Sequence, residues 1–339
     1  IASTVMIETD LRGVDSHGIN MLRQYEETFK RGALNIKAQT KIIRDRSTTA
    51  LLDADRGLGH PVSVQAMEMA IKKAESYDVG IVCVKNSHHF GAAGYYAEIA
   101  ARQGFIGIVT TSTRGISMVP TRGTQPVLGT NPFAFAAPAG KYDPLVLDFA
   151  TTVAAVNKVK VRKLRELQLP DGWVNDGDGR TIFDPNEAIR IFENKSFGGL
   201  NPVGGIGETL GGHKGYGLAV FSHILSGAMP GASFSPVRVK NSNADTPDDL
   251  GHYFQAINPE SFRTKEEYEN DIEVVIETLR SVKPSDPDKP VLVPGEPEQI
   301  SRKDRQKNGI PVNRNLRNLI KEIAQNAGVE YFLVNNTTP

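Results

Sequence analysis

Residues 60–113 contain two helix-like segments, each followed by a short apolar run, and this alternation constrains the fold more than any other feature. The segment SVQAMEMAIKKAESY (63–77) repeats Ala, Met and Ile at helical spacing, whereas VGIVCVKN (79–86) is typical of a strand buried on both faces. The segments GAAGYYAEIAARQG (91–104) and FIGIVTTST (105–113) repeat this pair. Because helices alternate with strands, the sequence predicts an α/β domain.

Composition excludes several classes of protein. The chain has 339 residues, enough for about two domains, and its 39 Lys and Arg balance its 39 Asp and Glu. A chain without basic excess is not expected to bind nucleic acid or an anionic membrane surface, and no apolar run is long enough to span a bilayer. The single cysteine, Cys83, predicts a reducing compartment, the cytoplasm. Because Ile1 opens directly into ASTVMIETDLRG, we expect that residues of the natural chain precede it.

Two segments carry histidines suited to a ligand site. DSHGIN (15–20) is predicted to start a helix that runs to about Phe29, with Asp15 or Ser16 as its cap. His88 and His89 follow the strand predicted at 79–86, where ligands bind in open α/β sheets. Adjacent histidines rarely ligate one metal ion together, and the chain has neither a His pair at i,i+4 nor a Cys cluster, so no metal site is predicted.

Glycines in GGIGETLGGHKGYG (204–217) only superficially resemble a nucleotide-binding loop. The spacing of Gly205, Gly207 and Gly211 is one residue too long for the dinucleotide fingerprint, and Lys214 is followed by Gly215 rather than the Ser or Thr of a P-loop. The standard Rossmann interpretation therefore fails. A glycine-flanked lysine just before a predicted helix is nevertheless a favourable phosphate contact.

Six motifs in chain order resemble the type-2 malate/L-lactate dehydrogenase family, which includes ureidoglycolate, sulfolactate, diketogulonate and piperideine-2-carboxylate oxidoreductases. They are DSHGIN, NSHHFGAAGYYAEIA, GTNPFAFAAP, LDFATT, GGHKGYGLA and LVPGEPE, within a resemblance from about Asp10 to Val312. The resemblance implies a homodimeric oxidoreductase that uses NAD or NADP and has a non-Rossmann fold, with a largely antiparallel mixed sheet and helices. It implies a helical, dimerising part from residues 1–58 and 284–339, an α/β cofactor domain over 59–283, and an active site between them.

The resemblance also implies the site residues. Ser16 and His17 match the family's catalytic serine and histidine, His89 matches its second active-site histidine, and Thr130 matches a substrate contact. The implied cofactor contacts are His89, Phe90, Gly91, Ala92, Ala93, Ser112, Asp148, Phe149, Ala150, Lys214, Gly215, Pro294, Gly295 and Glu296.

One departure from the family affects the substrate. Members commonly carry an arginine, which holds the substrate carboxylate, four residues after the motif histidine, where this chain has Met21. Arg23 lies about 200° round a helix from that position, so it cannot simply replace the missing side chain. Arg23, Arg12 and Arg122 remain the candidates for this role.

The implied chemistry is oxidation at C2 of a 2-hydroxy acid. The hydride passes to the nicotinamide, and a general base, for which histidine is the natural choice, accepts the hydroxyl proton. We predict His17 as this base, with Ser16 orienting it or contacting substrate and His89 as the alternative. Malate is the first expected substrate, then lactate or sulfolactate; a cyclic imino acid or sugar keto acid reductase and a non-catalytic ligand-binding module are the alternatives. NAD is favoured slightly because an acidic residue such as Asp148 at the adenosine ribose would exclude a 2′-phosphate.

Overall fold

The computed structural model describes residues 1–240 and 246–333. Its helices are α1 (Ala2–Leu11), α2 (Leu22–Lys30), α3 (Gly59–Tyr77), α4 (Ala93–Arg102), α5 (Val156–Leu164), α6 (Pro185–Asn194), α7 (Gly212–His223), α8 (Ser235–Lys240), α9 (Lys265–Ser281), α10 (Glu296–Asn308) and α11 (Arg314–Ala327). Two 3₁₀ turns, Ile19–Met21 and Pro259–Ser261, and a π-helix, Ile224–Ala228, complete the helical elements of these residues.

The strands are β1 (Lys41–Asp45), β2 (Thr49–Asp53), β3 (Val79–Ser87), β4 (Ile106–Thr111), β5 (Phe133–Ala137), β6 (Leu145–Phe149), β7 (Val174–Asn175), β8 (Gly199–Leu200) and β9 (Leu250–Ile257). Within the described residues, seven of them form one sheet in the order β1-β2-β3-β9-β4-β5-β6. The β2–β3 pair is parallel and the other pairs in this sheet are antiparallel. The predicted largely antiparallel mixed sheet, without a Rossmann unit, is therefore confirmed.

The main core lies between this sheet and the helices α3 and α4. The helix predicted at 63–77 lies within α3, which begins four residues earlier at Gly59 and buries Ala66, Ala70 and Ala74 on the side that faces the strands. These small side chains allow the helix backbone to approach the sheet closely, while Val82 and Phe254 fill the space from the strands. The helix–strand alternation predicted for residues 60–113 is thus present in the structure as α3, β3, α4 and β4.

The two chain ends pack together as helices, but the sheet begins before residue 59. Helix α1 contacts α10, and α2 contacts α11. However, β1 and β2 belong to the sheet, although the predicted division assigned residues 1–58 to the helical part. Parallel pairing with β3, from Thr49–Ile81 to Asp53–Lys85, draws β2 into the sheet. Residues 241–245 and 334–339 of the predicted parts lie outside the described residues.

The helix predicted from Asp15 or Ser16 is wrong in its first turns. Residues 15–18 form turns, and α2 begins at Leu22 after the 3₁₀ turn. The buried Asp10 carboxylate accepts a hydrogen bond from the Ile19 N–H at 2.8 Å, which holds the chain in this turn. The carboxylate of Asp15 does not cap a helix; it pairs with Arg305 of α10, with Oδ2 3.2 Å from Nη2.

The apolar helical segment around residues 215–229 is buried on one side only. Helix α7 buries Gly215, Ala219 and Ser222 against the sheet side, while Leu218 and Phe221 remain exposed. Ile224 and Met229 in and after the π-helix are also exposed. An apolar face is therefore open to solvent in the single chain. No helix among the described residues is long and apolar enough to cross a membrane.

Candidate active site

Several loops meet at one edge of the seven-stranded sheet. Strand β9 lies between β3 and β4 and is antiparallel to both, so β3 and β4 end at the same edge. Strand β5 starts there, since Phe133 pairs with Thr110, and β6 ends there, since Phe149 pairs with Phe133. The loops that follow β3, β4 and β6 and precede β5 carry most of the predicted site residues.

His17 and His89, 72 positions apart in the sequence, are stacked at this edge. Their ring centroids lie 5.5 Å apart with an interplanar angle of 28°. Ser16 Oγ lies 2.8 Å from His17 Nδ1, so serine and histidine form one hydrogen-bonded unit. The structure therefore brings the three predicted catalytic residues together.

Tyr25 is a member of this cluster that the sequence interpretation missed. Its hydroxyl lies 2.7 Å from His89 Nδ1, and the Gly91 N–H donates to the same nitrogen at 3.3 Å. A backbone N–H can only donate, so His89 Nδ1 is an acceptor and the proton of the neutral ring is on Nε2. Burial raises the pKa of Tyr25, which keeps its hydroxyl protonated as a donor. A tyrosine in the short helix that follows the DSHG motif is the sequence signal that could have identified Tyr25.

Burial keeps the histidines of this cluster uncharged. It lowers the pKa of His17 below its ordinary value of 6.5. For His89 burial is the largest cause, and the neighbouring His17 and His60 rings help to bring its pKa well below 6.5. His60, whose ring packs edge-on against Tyr25 at 5.5 Å, has its pKa lowered to about 4, chiefly by burial. At neutral pH each ring therefore has one N–H and one lone pair.

The predicted cofactor residues converge at the N-terminus of α4. Asp148, from the end of β6, accepts a hydrogen bond from the Gly94 N–H at 2.7 Å. A Cβ on Gly94 would lie 2.9 Å from the Asp148 Cβ, so this close approach requires glycine. Burial raises the pKa of Asp148 to about 6, and Glu298 adds to this shift. The Pro294–Gly295 turn lies against the same strand, where Pro294 accepts from the Val146 N–H at 3.1 Å.

The loop with Thr130 is connected to the glycine-rich segment. The Thr130 carbonyl accepts from the Thr151 N–H at 2.8 Å, and the Thr151 carbonyl accepts from the Val203 N–H at 2.9 Å. Asn131 Nδ2 donates to the Ala219 carbonyl of α7 at 3.0 Å. Lys214 is exposed in the first turn of α7, with Gly215 directly after it. Lys214, Gly215 and Thr130 therefore lie in mutually supporting segments.

Three of the predicted cofactor residues direct their side chains elsewhere. The Phe90 ring is buried and stacks on His252 at 4.6 Å, and the Ser112 hydroxyl accepts from the Gly251 N–H at 2.9 Å. Glu296 pairs with Arg280 and accepts from the Val293 N–H at 2.6 Å. A cofactor would meet Phe90 through its backbone. Ala92, Ala93, Phe149 and Ala150 lie in the two segments that meet at the α4 N-terminus.

The three arginines considered for the substrate carboxylate are each paired with a carboxylate of this chain. Arg12 binds the buried Glu98 at 2.7 Å, with 12% of its side chain exposed. Arg23 binds Glu27 at 2.7 Å on the surface. Arg122 has 79% of its side chain exposed and binds Glu208 at 2.7 Å. Arg12 is thus committed to a structural ion pair, and the other two lie in surface pairs.

No three His, Cys, Asp or Glu side chains in residues 1–240 and 246–333 are arranged to hold a metal ion.

Comparisons with known proteins find similarity over nearly the whole chain. The family profile described as malate/L-lactate dehydrogenase matches residues 1–321. A malate dehydrogenase of Pyrococcus abyssi is 39% identical over 97% of this chain and 88% of its own length. An L-sulfolactate dehydrogenase of Methanocaldococcus jannaschii is 37% identical over 97% of the chain and 90% of its own length. The crystal structure of malate dehydrogenase from Entamoeba histolytica superposes with a TM-score of 0.91 at 34% identity, covering 96% of this chain and 90% of that one.

Proposed function

Because the chain belongs to the malate/L-lactate dehydrogenase family, as its six motifs predict, we propose that it oxidises a small 2-hydroxy acid with a nicotinamide cofactor, malate first. The observation that carries the proposal is the stacked, half-buried pair of His17 and His89 beside the α4 N-terminus. The relatives named malate and sulfolactate dehydrogenases support the substrate class. Lactate and sulfolactate are the next substrates to consider.

The residues around α4 suit a dinucleotide. The N-cap residue of α4, Ala92, has no side chain that could cap the helix, and Asp148 binds the Gly94 N–H, so the remaining first-turn N–H groups are suited to an anion such as a diphosphate. Asp148 can accept from a ribose hydroxyl, and the cation of Lys214 suits a phosphate. When bound, the nicotinamide supplies the hydride acceptor. We therefore assign the cofactor to the segments with Gly91–Ala93, Asp148–Ala150, Pro294–Gly295 and Lys214.

The proton chemistry divides between the two histidines. His89 carries its proton on Nε2, so it presents a hydrogen-bond donor to a substrate oxygen. His17 can donate from Nδ1 to Ser16 Oγ, which leaves a lone pair on Nε2 to accept the hydroxyl proton. Ser16 thus orients the base, His17 removes the proton, and His89 stabilises the oxygen on which negative charge develops. This division favours His17 over His89 as the general base.

The pKa of His17 leads to opposite pH dependences for the two directions. Oxidation needs neutral His17, and burial lowers its pKa, so kcat/KM for oxidation should stay level around pH 7 and fall only below pH 6.5. Reduction needs protonated His17, so its kcat/KM should increase as the pH falls towards that pKa. Initial rates measured in both directions from pH 5 to 9 check this, since kcat/KM reports the free enzyme. An oxidation profile that already falls between pH 8 and 7 would contradict the assignment.

A spectrophotometric assay of nicotinamide turnover tests the function. Malate, lactate and sulfolactate, with NAD or NADP, test oxidation; oxaloacetate, pyruvate and a cyclic imino acid, with the reduced cofactors, test reduction. We expect the highest kcat/KM with malate and NAD, since an ionised Asp148 at a ribose would repel a 2′-phosphate. Preference for the imine would favour the reductase alternative, which Met21 in place of the family's arginine keeps open. No turnover with any substrate, together with cofactor binding, would favour a binding module.

We also propose a homodimer in the cytoplasm. The exposed apolar side chains of Leu218, Phe221 and Ile224 support a subunit interface on α7 and the π-helix, since contiguous apolar patches mark protein contacts. The single cysteine, Cys83, is a buried free thiol, which suits a reducing compartment.

A further inference from the structure

The structure offers another arginine in place of the one that the family carries where this chain has Met21. We propose that Arg114, held by Asp248, binds the substrate carboxylate; this inference rests on the proposed hydroxy-acid dehydrogenase function. Arg114 lies in the segment TSTRG, directly after β4, and was not among the sequence-based candidates.

The sheet topology places Arg114 at the catalytic edge. Arg114 follows the end of β4 at Thr111, and Asp248 precedes the start of β9 at Leu250. Leu250 pairs with Ser87, the last residue of β3, after which His88 and His89 follow directly. Three chain segments, from β4, β9 and β3, therefore bring arginine, aspartate and histidine to one place.

Asp248 connects Arg114 to His88, the residue directly before His89. Its Oδ1 lies 3.2 Å from Arg114 Nε, and its Oδ2 lies 3.3 Å from Nδ1 of His88, the neighbour of His89. The other ring nitrogen of His88 lies 3.0 Å from the Ala33 carbonyl, which fixes the ring. Asp248 also lines a small pocket with Tyr25 and His89. The ion pair thus borders the residues that are proposed to contact the reacting oxygen.

Exposure distinguishes this ion pair from those of the other arginines. The Asp248 side chain is 6% exposed, whereas the Arg114 side chain is 40% exposed. A buried carboxylate therefore orients a guanidinium that is partly exposed. In the Arg12 pair both partners are buried, and the Arg122 pair lies far out on the surface. A guanidinium is planar and presents its N–H groups as a fork, which matches a carboxylate in two parallel hydrogen bonds. The contact of Asp248 with Arg114 Nε fixes the plane of the guanidinium.

The test compares wild type with Arg114→Met, Arg114→Lys and, as a matched control, Arg263→Met, which removes another exposed arginine paired with an aspartate. Affinity for oxalate, a small unreactive dicarboxylate, is measured by calorimetry in the presence of reduced cofactor, and kcat and KM are measured with malate and NAD. We expect Arg114→Met to weaken oxalate binding and raise the malate KM by roughly 100-fold, because it removes charge-assisted hydrogen bonds to the carboxylate. The KM of the cofactor should stay unchanged.

A neutral substrate gives a readout that a merely structural role would not change. Wild type should prefer malate over its C1 amide in kcat/KM, and Arg114→Met should lose most of that preference. Arg114→Lys keeps the charge but loses the planar arrangement of N–H donors, so it should bind oxalate with intermediate affinity. If Arg114→Met fails to fold, the comparison is made with Arg114→Lys.

The outcomes separate this inference from the function itself. Wild-type oxalate affinity and acid-over-amide preference in Arg114→Met would overturn the role of Arg114 while the dehydrogenase function stands. A wild type that binds oxalate through Arg114 but turns over no hydroxy acid would overturn the proposed function and keep the carboxylate site. Absence of oxalate binding in wild type would overturn the assignment of Arg114.

Discussion

Replacing His17 with alanine should lower kcat for hydroxy-acid oxidation by about 100- to 10,000-fold, the usual contribution of a positioned general base. The ring is half-buried, its pKa is lowered, and Ser16 orients its Nδ1, so the Nε2 lone pair is ready to accept a proton. Steady-state oxidation of malate at pH 8 measures the loss. The KM of the cofactor should change little, because His17 contacts substrate rather than dinucleotide in this proposal.

Two further variants separate the roles of the two histidines. His89→Gln keeps an N–H donor in the place of Nε2, so its kcat should fall by less than that of His17→Gln, which has no basic nitrogen. Ser16→Ala removes only the group that orients the base, and we expect a loss of about 3- to 10-fold, the range of one hydrogen bond. Near wild-type turnover in His17→Ala, or a greater loss in His89→Gln, would reverse the assignment.

The sequence predicted the chemistry of this site better than its connections. The motifs around Ser16, His17 and His89 can be recognised in the sequence because each motif is local. The tautomer of His89 depends on Tyr25 from α2 and on the Gly91 N–H, two contacts made only when separate segments meet. Sequence spacing carries no information about such a contact, so the sequence alone leaves His17 and His89 as alternative bases.

The same limit explains the errors in the fold. Strands β1 and β2 join the sheet because β2 pairs with β3, a tertiary contact that the predicted boundary at residue 58 did not anticipate. Leu218 and Phe221 of α7 are exposed in the single chain, and the proposed homodimer interface would cover them. Likewise Arg12, which lies close to the DSHGIN motif in sequence, turns towards Glu98 of α4.

The Arg12 ion pair should therefore contribute to the free energy of unfolding rather than to substrate binding. Arg12 contacts Glu98 at 2.7 Å, both side chains are buried, and the guanidinium also lies over the Tyr95 ring at 5.4 Å. Removing Arg12 leaves the buried Glu98 with Arg102 of the same helix as its cation, so the cost should be about 2–3 kcal/mol, below the value of about 3–5 kcal/mol for a buried charge that loses its pairing altogether. We expect Arg12→Ala to lower the free energy of unfolding by the smaller of these amounts, measured by chemical denaturation at pH 7.

Arg23→Ala is the matched control, since it removes an arginine with surface pairs to Glu27 and Glu322. Exposed ion pairs contribute about 0–1 kcal/mol, so this variant should unfold nearly as wild type does. The folded fraction of Arg12→Ala should keep the wild-type KM for malate, because the α1–α4 contact orders the helices rather than the ligand. A raised malate KM with unchanged stability would place Arg12 in the substrate site. Such a result would also argue against Arg114, because the two arginines would then compete for one carboxylate.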